Sequence, residues 1–284
     1  MIAALGLISA VIYGASDFFG GLAARRMSAL LASCLGSLVS TVIAFAAVAV
    51  TAPVWTVQDA LLGVAAGLLG ALGTWAFYTG LAIGPMSIVS PGVAMIYAVV
   101  PAVFGIALGE RLSVLGYIAL VVVVIAALLL AVPRQSDPIR ITPRAVVFGT
   151  IAGLGYAGYI ILMDRTSNAS GLMPLGVELA VGLIVYALVL GVNRLRRGPG
   201  ELAGLHDRGA VGQALLAGLL LVVANVLLVI GLHLGDLAVM GVLNSLYPLG
   251  TVLLALVLLR ERLSVLQVVG IVLAIAASVT LAVA

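Results

Sequence analysis

Three long stretches of this chain, residues 27–58, 60–109 and 112–133, contain no charged side chain. A helix needs about 20 apolar residues to cross the hydrocarbon core of a bilayer, so each stretch has room for one or two spans. Of the 284 residues, 64% are hydrophobic and 8% are charged, whereas soluble domains carry about 25% charged residues. The sequence therefore predicts an integral membrane protein surrounded by a lipid bilayer and excludes a soluble domain.

Proline, glycine and arginine residues divide the apolar sequence into ten candidate spans. The five spans of the first half are residues 2–23, 29–50, 60–82, 87–108 and 114–132, and those of the second half are 145–162, 172–190, 210–232, 237–259 and 265–283. The sequence thus predicts an all-α integral membrane protein with ten transmembrane helices. The connections between the spans are too short to hold a separate soluble domain.

The two halves of the chain share sequence at a constant spacing. Gly-Leu-Ala-Ile-Gly at 80–84 returns as Gly-Leu-His-Leu-Gly at 231–235, and Gly-Glu-Arg-Leu-Ser-Val-Leu at 109–115 returns as Arg-Glu-Arg-Leu-Ser-Val-Leu at 260–266, both after 151 residues. We therefore predict two five-helix repeats, residues 1–133 and 134–284. Because five is an odd number, the repeats are inverted relative to each other, an architecture that lets a central site open alternately to either side of the membrane.

A chain of ten helices in two halves, each with Glu-Arg-Leu-Ser between its fourth and fifth helices, resembles the drug/metabolite transporter superfamily and its EamA-type exporters. The resemblance covers essentially the whole chain and is clearest over residues 66–132 and 217–283. It implies a secondary active transporter with a central cavity, multi-pass in the inner (plasma) membrane of the cell. Many relatives carry an arginine in the second helix of each half, where this sequence instead offers Ser33, Ser37, Ser40, Thr41 and Glu178.

The sequence lacks the patterns that catalysis or a resident cofactor requires. His206 and His233 are far apart, with no cysteine or acidic cluster at a metal-ligand spacing, and no phosphate-binding or hydrolase motif occurs. The 13 basic residues, all arginine, stand singly or in short groups between apolar runs, a pattern typical of membrane orientation rather than of nucleic-acid contact. We expect no enzyme activity, no cofactor, no metal and no nucleic-acid partner.

Two acidic residues, Asp17 and Glu178, fall inside predicted spans. A charged side chain at the middle of a membrane helix costs about 2.5–3.5 kcal/mol on insertion scales, so each should face a partner or a wet cavity. Both residues are candidates for proton coupling, and Asp17 is also a candidate for substrate binding. The alternative is a structural role, in which Asp17 caps a helix kink or pairs with Arg25 or Arg26, and Glu178 lies near the membrane surface.

Aromatic and amide side chains within the spans complete the predicted cavity. Tyr13 precedes Asp17 by one helical turn and shares its helix face, and Tyr156 corresponds to Tyr13 at a spacing of 143 residues. Such side chains would also suit the aromatic belts at the membrane surfaces or hydrogen bonds between helices. The predicted substrate-binding residues are Tyr13, Asp17, Trp75, Tyr78, Tyr97, Tyr156, Asn225 and Asn244.

A moderately apolar cavity with a few amide, phenol and carboxylate groups suits a zwitterionic or amphipathic solute. The leading hypothesis is a secondary active exporter of small metabolites, amino acids first among them, with protons as the candidate coupling ion. The alternative is a multidrug or cationic-compound exporter, which requires an unpaired carboxylate in the cavity. A membrane enzyme or a structural subunit is disfavoured by the inverted repeat and by the lack of catalytic residues.

The arginines also predict an orientation. With ten spans, Arg111 and Arg165 lie on the side of both termini, and all other arginines lie on the opposite side. Cytoplasmic loops carry an excess of basic residues. The sequence therefore predicts that both termini are extracytoplasmic, although many relatives are drawn with both termini in the cytoplasm.

Overall fold

A computed structural model of the protein describes residues 2–51, 53–84, 86–130, 142–251, 254 and 264–283. These residues form ten α-helices, a further short helical segment at 248–251 and two 3₁₀ helices, with no strand among them. The α-helices are α1 (Ile2–Ala24), α2 (Ala29–Thr51), α3 (Val57–Ile83), α4 (Met86–Ala107), α5 (Val114–Leu130), α6 (Pro143–Asp164), α7 (Met173–Arg197), α8 (Arg208–Leu234), α9 (Leu237–Asn244) and α10 (Val265–Val283); the 3₁₀ helices are Asn168–Ser170 and Pro199–His206.

The described helices have the length and composition of membrane spans. Six of them, α1, α2, α3, α6, α7 and α8, are long and apolar enough to cross a bilayer, and shorter apolar segments lie in α4, α5, α9 and α10. Large apolar side chains such as Val42, Val103 and Val272 are exposed on the outside of the bundle, where lipid replaces water. The prediction of an all-α integral membrane protein is confirmed.

The predicted ninth span, 237–259, is interrupted. Helix α9 ends at Asn244, residues 245–247 form a turn, and helical structure resumes at 248–251. Pro248 has no backbone N–H and disfavours helical backbone at the residue before it, so the amides of Leu246 and Tyr247 bond to carbonyls three residues back at 3.2 Å. Hydropathy alone does not reveal this break, because residues 237–251 have the average hydropathy of one continuous apolar segment.

Glycines set the distance between helices of the two halves. A Cβ at Gly155 of α6 would lie 2.9 Å from the Cα of Gly73 in α3, and a Cβ at Gly218 of α8 would lie 2.7 Å from the Cα of Gly36 in α2. A side chain at either crossing would push the helices apart. Small residues at helix contacts are typical of membrane proteins, in which close backbone approach replaces hydrophobic burial as the source of association.

The helices of the two halves interleave. Helix α3 packs against α6 and α7, and α8 packs against α1 and α2. Three further contacts join α2 to α7, α4 to α9, and α5 to α10. The predicted boundary between the repeats, 133/134, lies outside the described residues, as do Arg134, Arg140, Arg260, Glu261 and Arg262.

Contacts between helix ends define a first face of the bundle, which we call the N-terminal face. Ile2 at the start of α1 lies over Gly235 after α8, where a Cβ would be 2.8 Å from its Cγ2. Thr166, just after α6, hydrogen-bonds Nε2 of His233 near the end of α8 at 3.2 Å. Helix α1 therefore begins at the face where α6 and α8 end.

Three more contacts complete the assignment of the faces. Ser170, just before α7, donates to Asp59 in the first turn of α3 at 2.5 Å, and the backbone amide of Ser167 donates to the other oxygen of Asp59 at 3.1 Å, so α3 and α7 also begin at the N-terminal face. On the opposite side, Arg26 after α1 forms an ion pair with Asp207 before α8 at 2.8 Å. We call this side the arginine face.

Candidate functional site

A cavity of about 700 Å³, including its opening, lies at the centre of the bundle. Helices α1, α2, α3, α4, α6, α7, α8 and α9 all contribute side chains to it, so both halves of the chain form its wall. The lining residues are Tyr13, Asp17, Ser37, Gly70, Ala71, Thr74, Tyr97, Tyr156, Tyr159, Glu178, Leu179, Gly182, Tyr186, Leu221, Asn225, Asn244 and Tyr247.

Asn225 of α8 joins two of the lining tyrosines. The Tyr13 hydroxyl of α1 and the Tyr159 hydroxyl of α6 both donate to its Oδ1, the latter at 3.0 Å. Both oxygen lone pairs of the amide are then occupied. The Nδ2 of Asn225 has no acceptor among the described residues, which leaves it able to donate to a solute in the cavity.

Asn244 forms a second network where α9 ends. Its Nδ2 donates to the Tyr97 hydroxyl at 2.9 Å, and its Oδ1 accepts from the Ser9 hydroxyl at 3.0 Å. Ser9 in turn lies 3.0 Å from the carbonyl of Ala224. These bonds connect α1, α4, α8 and α9 next to the turn at 245–247, so the break in the ninth span borders the cavity.

Three more tyrosines are fixed by their hydroxyl groups. Tyr186 donates to the carbonyl of Ala71 at 2.9 Å, Tyr247 donates to the carbonyl of Ser90 at 2.7 Å, and Tyr156 donates to Thr74 at 3.3 Å. The rings of Tyr97 and Tyr156 also meet edge to face with 6.4 Å between their centroids. Anchored hydroxyls leave ring faces to form the cavity wall, and ring faces attract cations.

The two carboxylates of the cavity have no partner in the described part of the chain. Glu178 is 7% exposed, and its buried Oε2 accepts no hydrogen bond. Asp17 is partly buried and has neither a hydrogen bond nor an ion pair. The predicted alternative for Asp17, pairing with Arg25 or Arg26, does not occur among the described residues: Arg26 pairs with Asp207, and Arg25 forms no ion pair.

Six of the eight predicted substrate-binding residues lie together around this cavity, and so do both proton-coupling candidates. The six are Tyr13, Asp17, Tyr97, Tyr156, Asn225 and Asn244. Trp75 and Tyr78 do not line it. Trp75 packs edge to face on Phe148 with 5.6 Å between the ring centroids, and Tyr78, one turn after Thr74 on the same helix face, is buried over Gly20.

Five polar lining residues were absent from the predicted set. Two had a signal in the sequence: Tyr159 follows Tyr156 by three residues and shares its face, and Tyr186 lies two turns after Glu178 on one face of α7. Thr74 also had a signal, since it is 151 residues before Asn225 and the two correspond in the repeat. Ser37 and Tyr247 needed the packing of α2 and the turn after α9 to be identified.

The chain is similar to known proteins at two levels. Residues 143–283 match the sequence model of the EamA-like transporter family. One solved structure, described as a crystal structure of a protein, has 18% sequence identity and a TM-score of 0.67, over 98% of this chain and 95% of that one. At this identity the likeness shows a shared fold alone. No curated protein matches the sequence.

Proposed function

Because this chain belongs to the EamA-like transporter family through residues 143–283, we propose that it is a secondary active transporter that exports small amine-bearing metabolites across the plasma membrane. One observation carries the proposal: a central cavity shared by both halves contains two carboxylates, Asp17 and Glu178, without a cationic partner among the described residues. An ammonium group of a solute would supply that partner. The other participants are the lipid bilayer and protons.

The proposed mechanism is alternating access by two inverted five-helix repeats. It is supported by the helix packing, because exchanging each helix for the one five positions later converts the α3–α6 and α3–α7 contacts into the α8–α1 and α8–α2 contacts. It is also supported by a repeated hydrogen bond. Tyr13 bonds to Asn225 and its counterpart Tyr156 bonds to Thr74, the counterpart of Asn225. Rocking of the repeats around a central site would expose that site to each side in turn.

Protons are the proposed coupling ion. A buried carboxylate without a partner is unfavourable in its charged form, so the empty carrier is stabilised when Asp17 and Glu178 are protonated. Binding of an ammonium group favours the ionised carboxylate and thereby releases a proton. Exchange of the solute for protons follows from this competition, with outward movement of the amine driven by inward movement of protons.

Amino acids are the first proposed substrates, and the free amide of Asn225 favours them. The ammonium group of an amino acid would bind Asp17 or Glu178, and its carboxylate would accept a hydrogen bond from Nδ2 of Asn225. Organic cations without a carboxylate are the second candidate. They are favoured by the absence of any arginine or histidine among the lining residues of the cavity in the described part of the chain.

Transport into proteoliposomes tests the proposed function. The purified protein is reconstituted, a pH gradient is imposed, and uptake is measured for radiolabelled phenylalanine and for phenylethylamine, which lacks the carboxyl group. We expect gradient-dependent uptake of at least one of them, absent from protein-free liposomes. Asp236→Asn is the matched control for substitutions of the cavity carboxylates Asp17 and Glu178, because Asp236 is an exposed carboxylate whose side chain caps no backbone amide. If a broader panel of amino acids and amines shows no gradient-dependent uptake, the proposed function is wrong.

A further inference from the structure

The cavity contains two carboxylates, and neither has a hydrogen-bond or ion-pair partner in the described part of the chain. Asp17 lies on α1 of the first half and Glu178 on α7 of the second half. No arginine, lysine or histidine lines the cavity in the described residues. Arg26, which follows α1, forms an ion pair with Asp207 instead of with Asp17. The buried Oε2 of Glu178 accepts no hydrogen bond. A solute with a single positive charge would therefore pair with only one of the two carboxylates.

The two carboxylates stand at different depths. Helices α1 and α7 both begin at the N-terminal face; Asp17 is the sixteenth residue of α1 and Glu178 is the sixth residue of α7. Helix contacts set the offset: the backbone of Glu178 lies level with Gly67 of α3, and Gly20, three residues after Asp17, lies level with the ring of Tyr78 on the same helix. At a rise of about 1.5 Å per residue, Asp17 is therefore about 12 Å deeper than Glu178. One end of the cavity thus carries Asp17 and the other end carries Glu178.

A short, doubly charged amine fits this spacing. With ordinary bond lengths, the two nitrogens of an unbranched diamine with four to six methylenes are about 6–9 Å apart. A hydrogen bond of about 2.8 Å at each end extends the reach to about 12–14 Å between carboxylate oxygens. The methylene chain would lie between tyrosine rings that wall the middle of the cavity, such as Tyr13, Tyr156 and Tyr159.

We propose that the cavity takes short α,ω-diamines as dications, with one ammonium group on Asp17 and the other on Glu178. The inference rests on the proposed transport of amine-bearing solutes and narrows its substrate class. A bound dication neutralises both carboxylates, as two protons do in the empty carrier. Both loaded states are then electrically neutral, which the low dielectric of the membrane interior favours. One diamine would be exchanged for two protons.

Binding by the full-length protein in lipid nanodiscs tests the inference. Isothermal titration calorimetry at neutral pH compares 1,5-diaminopentane, 1-aminopentane and lysine, which share a five-carbon chain or nearly so and differ in charged groups. We expect the diamine to bind about tenfold or more tightly than the monoamine, because the second ammonium adds a hydrogen bond to a charged group. Lysine should bind more weakly than the diamine, because its carboxylate adds a third negative charge to the cavity, and a hydrogen bond from the neutral amide of Asn225 does not neutralise that charge.

Two variants assign the ends of the diamine. Asp17→Asn and Glu178→Gln should each reduce diamine affinity to about that of the monoamine, whereas the control Asp236→Asn should leave it unchanged. Folding of each variant is checked by its size-exclusion profile and thermal unfolding. The wild-type comparison of diamine with monoamine requires no variant, so it decides the question even where a substitution prevents folding.

The outcomes separate this inference from the proposed function. Equal affinities for diamine and monoamine, or tighter binding of lysine than of the diamine, overturn the diamine as substrate while amine transport stands. Binding and transport of none of the amines and amino acids would overturn both.

Discussion

Gly36 and Glu178 make the same backbone contact in the two halves of the chain. The carbonyl of Gly36 lies against Gly218 of α8, and the carbonyl of Glu178 lies against Gly67 of α3, where a Cβ would be 2.6 Å from it. Gly67 and Gly218 are themselves 151 residues apart. The two positions therefore share a place in the packing, but one carries a carboxylate and the other carries no side chain. The charge of the cavity is asymmetric although the helix contacts around it repeat.

The contact of Gly218 leads to a prediction about stability. Gly218→Ala places a methyl group within 2.7 Å of the Gly36 backbone and should lower the free energy of unfolding by about 1–3 kcal/mol, the usual cost of overpacking. Gly212→Ala on the same helix is the matched control, because a Cβ at Gly212 meets nothing within 4 Å. Thermal unfolding of both variants in detergent measures the difference. Equal unfolding temperatures would mean that α2 and α8 are not held at this crossing.

A second prediction separates the residues that line the cavity from those that do not. Tyr13→Ala and Tyr156→Ala each remove a ring from the cavity wall and a hydroxyl that bonds to Asn225 or Thr74. Each should raise the apparent KM several-fold. Trp75→Ala, on the side of α3 that packs on Phe148, should leave the KM within about twofold once protein amounts are matched. Initial rates of uptake against substrate concentration measure all three, and the reverse order of effects would place the binding site elsewhere.

A third prediction concerns proton coupling. Asp17→Asn removes a group that can release and bind a proton but keeps its size, so uptake driven by a pH gradient should fall to the level of protein-free liposomes. The matched control, Asp236→Asn, changes an exposed carboxylate and should keep the gradient response. Uptake with and without the gradient measures both variants. Undiminished gradient-driven uptake by Asp17→Asn would show that coupling does not require this carboxyl group.

The sequence predicts the helices well because charge is so rare in them. A helix that crosses a bilayer can hardly contain an unpaired arginine, so the described arginines lie at or beyond the ends of the helices, as Arg25 does after α1 and Arg208 at the start of α8. It also identified Tyr13 and Tyr156, because the repeat spacing brings them into register. The break before Pro248 was missed because residues 237–251 are one apolar segment by hydropathy. The contacts of Trp75 and Tyr78 could not be predicted, because they depend on which helices lie next to α3. Spacing within a helix states which residues share a face, but not what that face contacts.

The last prediction concerns orientation in the membrane. On the N-terminal face the described chain places Arg111, after α4, and Arg165, after α6. The arginine face holds the described arginines at the other helix ends, namely Arg25, Arg26, Arg144, Arg194, Arg196, Arg197 and Arg208.

Basic residues in short loops are retained on the cytoplasmic side, so we expect the arginine face in the cytoplasm and both termini outside. With ten spans, the C-terminus returns to the N-terminal face. Fusions of alkaline phosphatase and of green fluorescent protein to Ala284 measure this directly: phosphatase is active outside the cytoplasm, whereas the fluorescent protein matures inside it. We expect phosphatase activity without fluorescence. Reversing the charge bias by Arg25→Glu and Arg26→Glu is the sharper test of cause, because these two residues follow the first span and should shift part of the population toward the opposite orientation. Fluorescence without phosphatase activity in the unmodified chain would mean that the arginine excess does not set its orientation.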